Sequence, residues 1–439
     1  MLRVDQPTTW TNWAGTASTT PVAVAHPASS EEVAELVVAA AHRGLRVKAV
    51  GSGHSFTAIA ITDGVLLQLD RLTGFVAVDS ATHRVTVRAG TPLHVLNAGL
   101  AARGLAMVNL GDIDRQTISG ALATGTHGTG ARFQGLAAAV VGTRIVLADG
   151  TIVDCDAQRD PDLFEASRIG LGAVGIITEL TLQCVPAYLL NAREDPGTLS
   201  GTLAGLDELV DGIDHFEFYW FPHTDNVLLK RNTRLPAEDQ RMPLPRWRAW
   251  LDDDLLSNRV FEAINRVSAA RPAWVPRINS MSSRVLSSRE FTLPSHEVFA
   301  SQRDVRFREM EYAVPRESVA SVLTELKAMT DHGDLRIPFP VEVRFAAADD
   351  LWMSTATGRD SAYVAVHQYH RMDHRAYFDG FEAIARQVGG RPHWGKLHGR
   401  ARADLQPAYP RFDDFIAVRE RVDPERRFAN DYLSRVLGD

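Results

Sequence analysis

The sequence predicts an α+β fold divided into at least two domains, and three observations carry that prediction. The chain has 439 residues, a length that favours about two to three domains. Its first part alternates short helices with short strands and gathers its glycine into three loops. From about residue 187 the texture changes, and a second alternation of strands and helices follows an aromatic strand. The composition, 45% hydrophobic and 23% charged, is that of a soluble globular chain able to bury large cores.

The elements follow in order. Ser29 and Glu32 have capping-box spacing, and Val33, Leu36, Val37 and Ala40 recur at helical intervals up to a stop at Gly44. "LRVKAV" (45–50) is a strand that runs into the glycine loop "GSGHS". Strands are expected at 65–69, after an Asp63-Gly64 turn, at 75–78 and at 84–90, with a helix over 91–104 ending at Gly104. A second glycine-rich stretch spans 109–130, then a hairpin over 140–155 turns at Asp149-Gly150, and the third glycine stretch opens "GLGAVGIITELTLQCVP" (170–186). Beyond 187, "HFEFYWF" (215–221) reads as a strand, and the Pro- and Arg-rich stretch 235–295 as loops with short helices. The pattern then clears into strand (305–315), helix (316–331), strand (340–347), strand (362–369) and helix (376–389).

Charge and cysteine usage narrow the function. The formal net charge is -7, with both signs interspersed and no basic run, which argues against nucleic acid as a partner. A local positive pocket could still hold an anionic cofactor. Cys155 and Cys184 permit one disulfide but no disulfide framework, which fits a reducing cytosol. "MLRVDQPTTWTNWAG" (1–15) lacks the apolar core of a signal peptide, and no run of about 18 apolar residues occurs. A cytoplasmic protein without a membrane partner is expected.

The glycine loops carry the first chemical signal. "AVGSGHSF" (49–56) lies at a strand end, where α/β proteins usually hold ligands. It is neither G-x-G-x-x-G leading a helix nor a phosphate loop with its Lys-Ser/Thr. Backbone N–H groups in such turns make anion nests, and glycine allows close approach. Two readings stand at this point: a dinucleotide diphosphate site, or glycines that serve only tight turns.

"TNWAG" (11–15), "VGSGHSF" (50–56), "SGALATGTHGTG" (119–130), "GLGAVGIIT" (170–178), "MEYAVPRE" (310–317), "EVRF" (342–345), "GRD" (358–360) and "RPHWGKLH" (391–398) occur in a telling order. Together they resemble the aldonolactone oxidoreductase and alditol oxidase branch of the vanillyl-alcohol-oxidase-type flavoenzymes, end to end. The resemblance implies a PCMH-type FAD-binding domain of two α+β subdomains over 1–186. It implies an α+β cap domain over the flavin (187–390), in which the 235–295 stretch covers the pocket. A last segment (391–439) completes the active site and packs back on the FAD domain.

It further implies FAD as cofactor, bound along Val50, Gly51, Ser52, Gly53, His54 and Ser55, with a covalent 8α bond from His54 to the isoalloxazine ring. Doubly linked relatives add a cysteine near the second glycine loop; "TISGALATGTHG" has none, so a single link is expected. Gly111, Thr117, Gly120, Thr124, Gly125, Thr126 and His127 would line the flavin, with backbone contacts from Ile176 and Ile177, which also suit a core strand.

Hydroxyl oxidation needs a carboxylate to grip hydroxyls and cations to support negative charge. Glu342 and Arg344 stand two apart on a strand and so face one side, which also fits a surface ion pair. By the resemblance Glu342 bonds substrate hydroxyls and Arg344 sits by the flavin and the reacting oxygen. Lys396 reaches that oxygen as a hydrogen-bond donor, or as proton acceptor if its pKa is depressed. His367 and Glu309 fall in the substrate pocket. Gly111-Asp112 replaces the Ala-Ser pair of alditol oxidases, so Asp112 alters the substrate end, while Gly111 goes with oxidase activity. His370 and His374 have i,i+4 spacing but no third ligand, and no metal is expected. The expected reaction is FAD-dependent oxidation of an aldono-1,4-lactone, with oxygen or another acceptor taking the electrons. An alditol oxidase, a flavin-binding electron carrier and an NADPH-using reductase are the alternatives.

Overall fold

The computed structural model describes residues 4–5, 8–249, 258–284, 286–301 and 305–439. Parts of the N-terminal stretch read for a leader, and parts of 235–295, lie outside these residues.

Among the described residues, three sheets organise the chain. The first contains Val4–Asp5, Ala23–Ala25, Val65–Gln68 and Val47–Val50 in that order, the last three mutually parallel. The helix Ser30–His42 covers it, burying Val33, Val37 and Ala40 against Val47, Val65 and Leu67. Ser29 caps the helix by accepting from the Glu32 N–H at 3.2 Å. The return bond of the expected capping box goes one residue earlier: Glu32 accepts from the Ala28 N–H at 2.8 Å. Gly44 ends the turn at φ +64°, a value that favours glycine.

The second sheet is antiparallel, in the order Ile152–Cys155, Val140–Val146, Ile176–Gln183, Arg84–Arg88 and Phe75–Asp79. The expected hairpin is present, its Asp149 side chain accepting from the Thr151 N–H at 2.8 Å. Cys155 and Cys184 are buried and free, so the one disulfide that they permit is not formed.

The third sheet runs Arg289–Pro294, Tyr188–Thr198, Asn226–Pro236, His215–Trp220, Val341–Ala346, Ser361–Tyr369, Phe307–Pro315 and Arg391–Pro392. Its long strands Tyr188–Thr198 and Asn226–Pro236 carry Asn, Asp, Pro and Gly and no clean alternation. Pairing along their whole length, not local propensity, makes them strands. The 235–295 stretch supplies helices Arg246–Ala249, Phe261–Ala270 and Val275–Ser282 and also the edge strand Arg289–Pro294.

Side chains alternate across this sheet. One face presents Phe218, Trp220, Val341, Val343, Phe345, Val364, Val366, Met310 and Tyr312 to helices Val319–His332 and Arg375–Gln387. The other face is polar, and it forms the site described below.

The tail closes the structure. Leu405, Phe412, Phe415, Leu433 and Val436 share one core with Leu93, Leu96, Ile118, Leu163 and Leu180. Lys48, next to the first glycine loop, donates to Gly172 O at 3.0 Å and Phe428 O at 3.1 Å. Asn430 caps helix Asp431–Leu437 through the Leu433 N–H at 2.9 Å. Its amide also reaches the carbonyls of Ala58 (3.1 Å), Ile59 (2.9 Å) and Ile61 (2.9 Å). Among the described residues no helix is long and apolar enough to cross a membrane.

Asn430→Ala removes a helix cap and strands buried carbonyls, so it should lower the unfolding free energy by roughly 2–3 kcal/mol. Urea denaturation checks this, and a loss below about 0.5 kcal/mol would refute the role given to Asn430.

Candidate active site

The first glycine loop and the helix Ile118–Ala123 approach each other closely. A Cβ on Gly51 would lie 2.0 Å from Thr117 Oγ1, and Gly53 holds φ +70° with Trp10 2.8 Å from its would-be Cβ. The cleft beside them, about 640 Å³, is walled by Val50, Gly51, Ser52, Gly53, His54, Ser55, Thr117, Gly120 and Thr124. A second cavity of about 740 Å³ shares His54, Ser55, Gln116 and Thr124 with it. Together they form one path from a glycine-lined trough to a charged chamber. That shape suits a dinucleotide whose diphosphate meets backbone N–H groups and whose ring projects forward.

The chamber gathers Gly111, Asp112, Thr126, His127, Glu309, Glu342, Arg344, His367 and Lys396 from the residues the sequence singled out. It adds Trp13, Phe56, Phe307, Gln116, Glu311 and His393, to which the sequence alone assigned no role. Ile176 and Ile177 are not among the residues walling these two cavities; they lie on the strand Ile176–Gln183, with Ile176 in the core. Gly125, at φ +77°, is likewise not part of the walls.

The polar face of the large sheet makes the chamber floor. Tyr219, Glu342, Ala365 and Glu311 stand directly opposite one another across four strands. Arg344 faces Tyr363, and Glu309 faces His367. The second glycine stretch is stitched onto this sheet. Gly130 N–H donates to Phe345 O at 2.7 Å, and Phe345 N–H donates to Thr129 Oγ1 at 3.2 Å. Gly130 sits at φ +129° where a Cβ would come 2.4 Å from Asp214 O, so only glycine brings the two together.

Each buried charge has partners. Glu342 and Arg344 are 5% and 7% exposed, which rules out the surface-pair option. Arg344 donates to Glu217 at 2.9 Å, meets Glu342 at 2.6 Å and lies 3.6 Å from Asp112. Burial works against its charge, but the carboxylates of Glu342, Glu217 and Asp112 outweigh burial and hold it well into the charged form. Tyr219 donates its hydroxyl to Glu342. In the sequence "HFEFYWF" reads only as a strand, and Glu217 and Tyr219, which strand alternation puts on one face, were missed.

Lys396 pairs with Glu309. Burial opposes the ammonium, yet Glu309 and Glu311 push its pKa above the ordinary lysine value. The pKa is thus raised and not depressed, so the condition set for Lys396 as a proton acceptor is not met. Burial alone would raise Glu309, but Lys396 above all brings it down to about 2. Glu311 is held well below the carboxylate range by His127, against burial. His127 Nε2 lies 3.1 Å from Glu311, its Nδ1 donates to Gly128 O at 2.9 Å, and its ring stacks on Tyr363 at 3.5 Å.

His54 stacks on Trp13 at 5.8 Å. Burial first, then Lys396 and Arg115, lower its pKa to about 4, so its imidazole is neutral and nucleophilic. The other expected histidine pair does not converge: His370 Nδ1 donates to Arg306 O at 2.9 Å, while His374 meets Arg308 at 3.2 Å. Ligand atoms of His127, Glu311 and His393 do lie within 4.8 Å of one another, but hydrogen bonds already engage them.

Acidification should destabilise the fold through buried neutral histidines. Burial pushes His54, His215 and His393 down to about 4 and His398 to about 3. Below the unfolded value of about 6.5 the unfolded chain binds protons that the folded chain refuses, so stability rises with pH over this window. The loss on acidification from pH 6.5 towards 4 is up to about 1.4 kcal/mol per pH unit for each histidine. Denaturant midpoints equal at pH 6.5 and 5 would contradict it.

Comparison with known proteins gives the family. The D-arabinono-1,4-lactone oxidase family pattern matches residues 180–436, and an FAD binding domain pattern matches residues 21–156. The chain is 44% identical over 429 residues to an L-gulono-1,4-lactone dehydrogenase of Mycobacterium tuberculosis, covering 98% of this chain and 99% of that one. It is 35% identical to the L-gulonolactone oxidase of Bos taurus, covering 97% of each. A solvent-stable cholesterol oxidase shares the fold with a TM-score of 0.84 at 20% identity, over 99% of this chain and 98% of that one.

Proposed function

Since the chain belongs to the D-arabinono-1,4-lactone oxidase family and is an FAD-dependent oxidoreductase acting on CH–OH groups, we propose that it oxidises a hydroxyl of an aldono-1,4-lactone. The observation that carries this reading is the chamber floor: buried Glu342 and Arg344 joined side by side, with Lys396 on the adjoining wall. Neutral polyhydroxy ligands suit it, because carboxylates accept O–H bonds while the two cations direct N–H bonds at an oxygen gaining charge.

FAD, when bound, accepts the hydride. The chain's residues do the rest. Val50 to Ser55, with Thr117, Gly120 and Thr124, would hold the cofactor along the trough. His54, neutral and buried, would form a single covalent link. Glu342 orients the substrate hydroxyls. Arg344, fixed by Glu217, and Lys396, fixed by Glu309, donate to the reacting oxygen. Asp112, beside Arg344, shapes the far end of the pocket.

Residues 1–186 serve as the FAD domain, 187–390 as the cap, and 391–439 as the segment that brings Lys396 to the chamber. The FAD-domain match and the shared core of the tail support this division. Gly111 lines the chamber, and a Cβ there would press His127 O at 3.1 Å, so glycine leaves room for oxygen as acceptor. Free buried cysteines support a reducing compartment, the cytoplasm. The second reading, an alditol oxidase, uses the same Glu342, Arg344 and Lys396, and a substrate panel separates the two.

Anaerobic mixing with gulono-, galactono- and arabinono-1,4-lactones and with xylitol and sorbitol should bleach the flavin with a lactone, and air should restore the colour. Bleaching by alditols alone would reverse the preference, and no return in air would point to another acceptor. Lys396→Met should keep the yellow cofactor and slow bleaching by about 10²-fold; wild-type speed would refute the role of Lys396. After acid precipitation the colour should stay with wild-type protein and leave His54→Ala. Colour that leaves the wild type would show that no covalent link forms.

A further inference from the structure

Oxidation of a hydroxyl requires an atom that receives the hydroxyl proton, and the hydrogen bonds of the chamber eliminate most candidates. Arg344 is a permanent cation, and Lys396 is held as an ammonium by Glu309 and Glu311. Glu342 and Asp112 lie in the ion-pair field of Arg344, and Glu309 is engaged by Lys396. Glu311 is bonded to His127. His127 Nδ1 gives its hydrogen to Gly128 O, and its Nε2 is engaged by Glu311. His393 Nδ1 accepts from the Gly395 N–H at 3.0 Å, so the other nitrogen of its neutral ring carries the hydrogen.

His367 is the exception. Its Nδ1 faces Pro340 O at 3.0 Å, and a carbonyl can only accept, so in the neutral ring the hydrogen sits on Nδ1 and the lone pair on Nε2. The nearest partner of Nε2 is Glu309 Oε1 at 3.5 Å, too far for a good bond. Two Glu–His pairs thus stand side by side on one sheet. Glu311–His127 is closed at 3.1 Å, whereas Glu309–His367 is open because Lys396 draws the carboxylate away.

We propose that His367 is the general base of the reaction, taking the substrate hydroxyl proton on Nε2 while Lys396 and Arg344 steady the oxygen. The proposal rests on the function given above. The balance is simple: the O–H bond breaks and its proton goes to Nε2, the C–H bond breaks and its hydrogen leaves with two electrons for the flavin, and a C=O bond forms. The imidazolium meets Glu309, already 3.5 Å away and anionic, and then releases its proton to solvent. Phe307 packs edge-on at 5.2 Å and Phe339 lies tilted at 6.3 Å, and Lys396 is paired with Glu309, which faces His367 across the strands.

The test uses the holoenzyme and gulono-1,4-lactone under anaerobic conditions. His367→Gln should slow flavin reduction by about 10²–10⁴-fold, with the half-saturating lactone concentration changed by less than about threefold. The wild-type rate should fall on acidification and the variant should lose that limb. Added imidazole should partly rescue His367→Gly. A wild-type rate in His367→Gln, or a loss confined to half-saturation, overturns the proposal. ¹⁵N spectra of the wild-type holoenzyme at pH 8 test it independently: Nδ1 protonated and Nε2 bare supports it, and a protonated Nε2 overturns it whether or not the variants fold. Failure of wild type to be reduced by any lactone or alditol would instead sink the functional reading, and the spectra would still decide the state of His367.

Discussion

The structure depends on burying a charged sheet face. Glu217, Glu309, Glu311, Glu342, Arg344 and His367 all lie below a tenth of exposure. Isolated ions in such a place cost several kcal/mol each after relaxation. They are tolerated because strand alternation sets them in register with partners: Glu342 with Arg344 and Tyr219, Arg344 with Glu217, Glu309 with Lys396, Glu311 with His127. On the opposite face the central strands present a cluster of apolar side chains that packs on two helices. One period-two pattern therefore sets both the core and the chemistry.

This arrangement divides labour among like residues. Two lines of acid–base pairs converge on the chamber, and what separates them is who holds the carboxylate. Arg344 is clamped on three sides and is a fixed cation. Lys396 arrives from the tail and is fixed by a carboxylate from the sheet, so the chain ends must fold together for the site to exist. The tail contributes to one core with the first part of the chain, and Lys48 and Asn430 tie it to both sides of the glycine loop. Stability of that junction and competence of the site are thus the same requirement.

Much of this was legible in the residues alone. The helix Ser30–His42, the hairpin at Asp149-Gly150 and the strand bearing Glu342 and Arg344 follow from capping, turn chemistry and alternation. The strands Tyr188–Thr198 and Asn226–Pro236 were not legible, because their residues favour no local conformation and their pairing is long-range. Glu311 and His393 lay inside stretches whose order gave the family resemblance, yet nothing local said that they would meet. Gly125, Ile176 and Ile177 lie inside the motifs but not among the residues that wall the two cavities.

The sequence by itself determined the periodicities, the turns and the residue types available for chemistry, because these depend on neighbours within a few positions. It also determined, through the order of its motifs, the family. Only the tertiary structure decided pairing. Which carboxylate holds Lys396, and which carbonyls and carboxylates face His367 and His127, depends on strands far away in the chain. Electrostatic energy in a buried site is set by distances of a few ångströms in space, and sequence separation does not encode them.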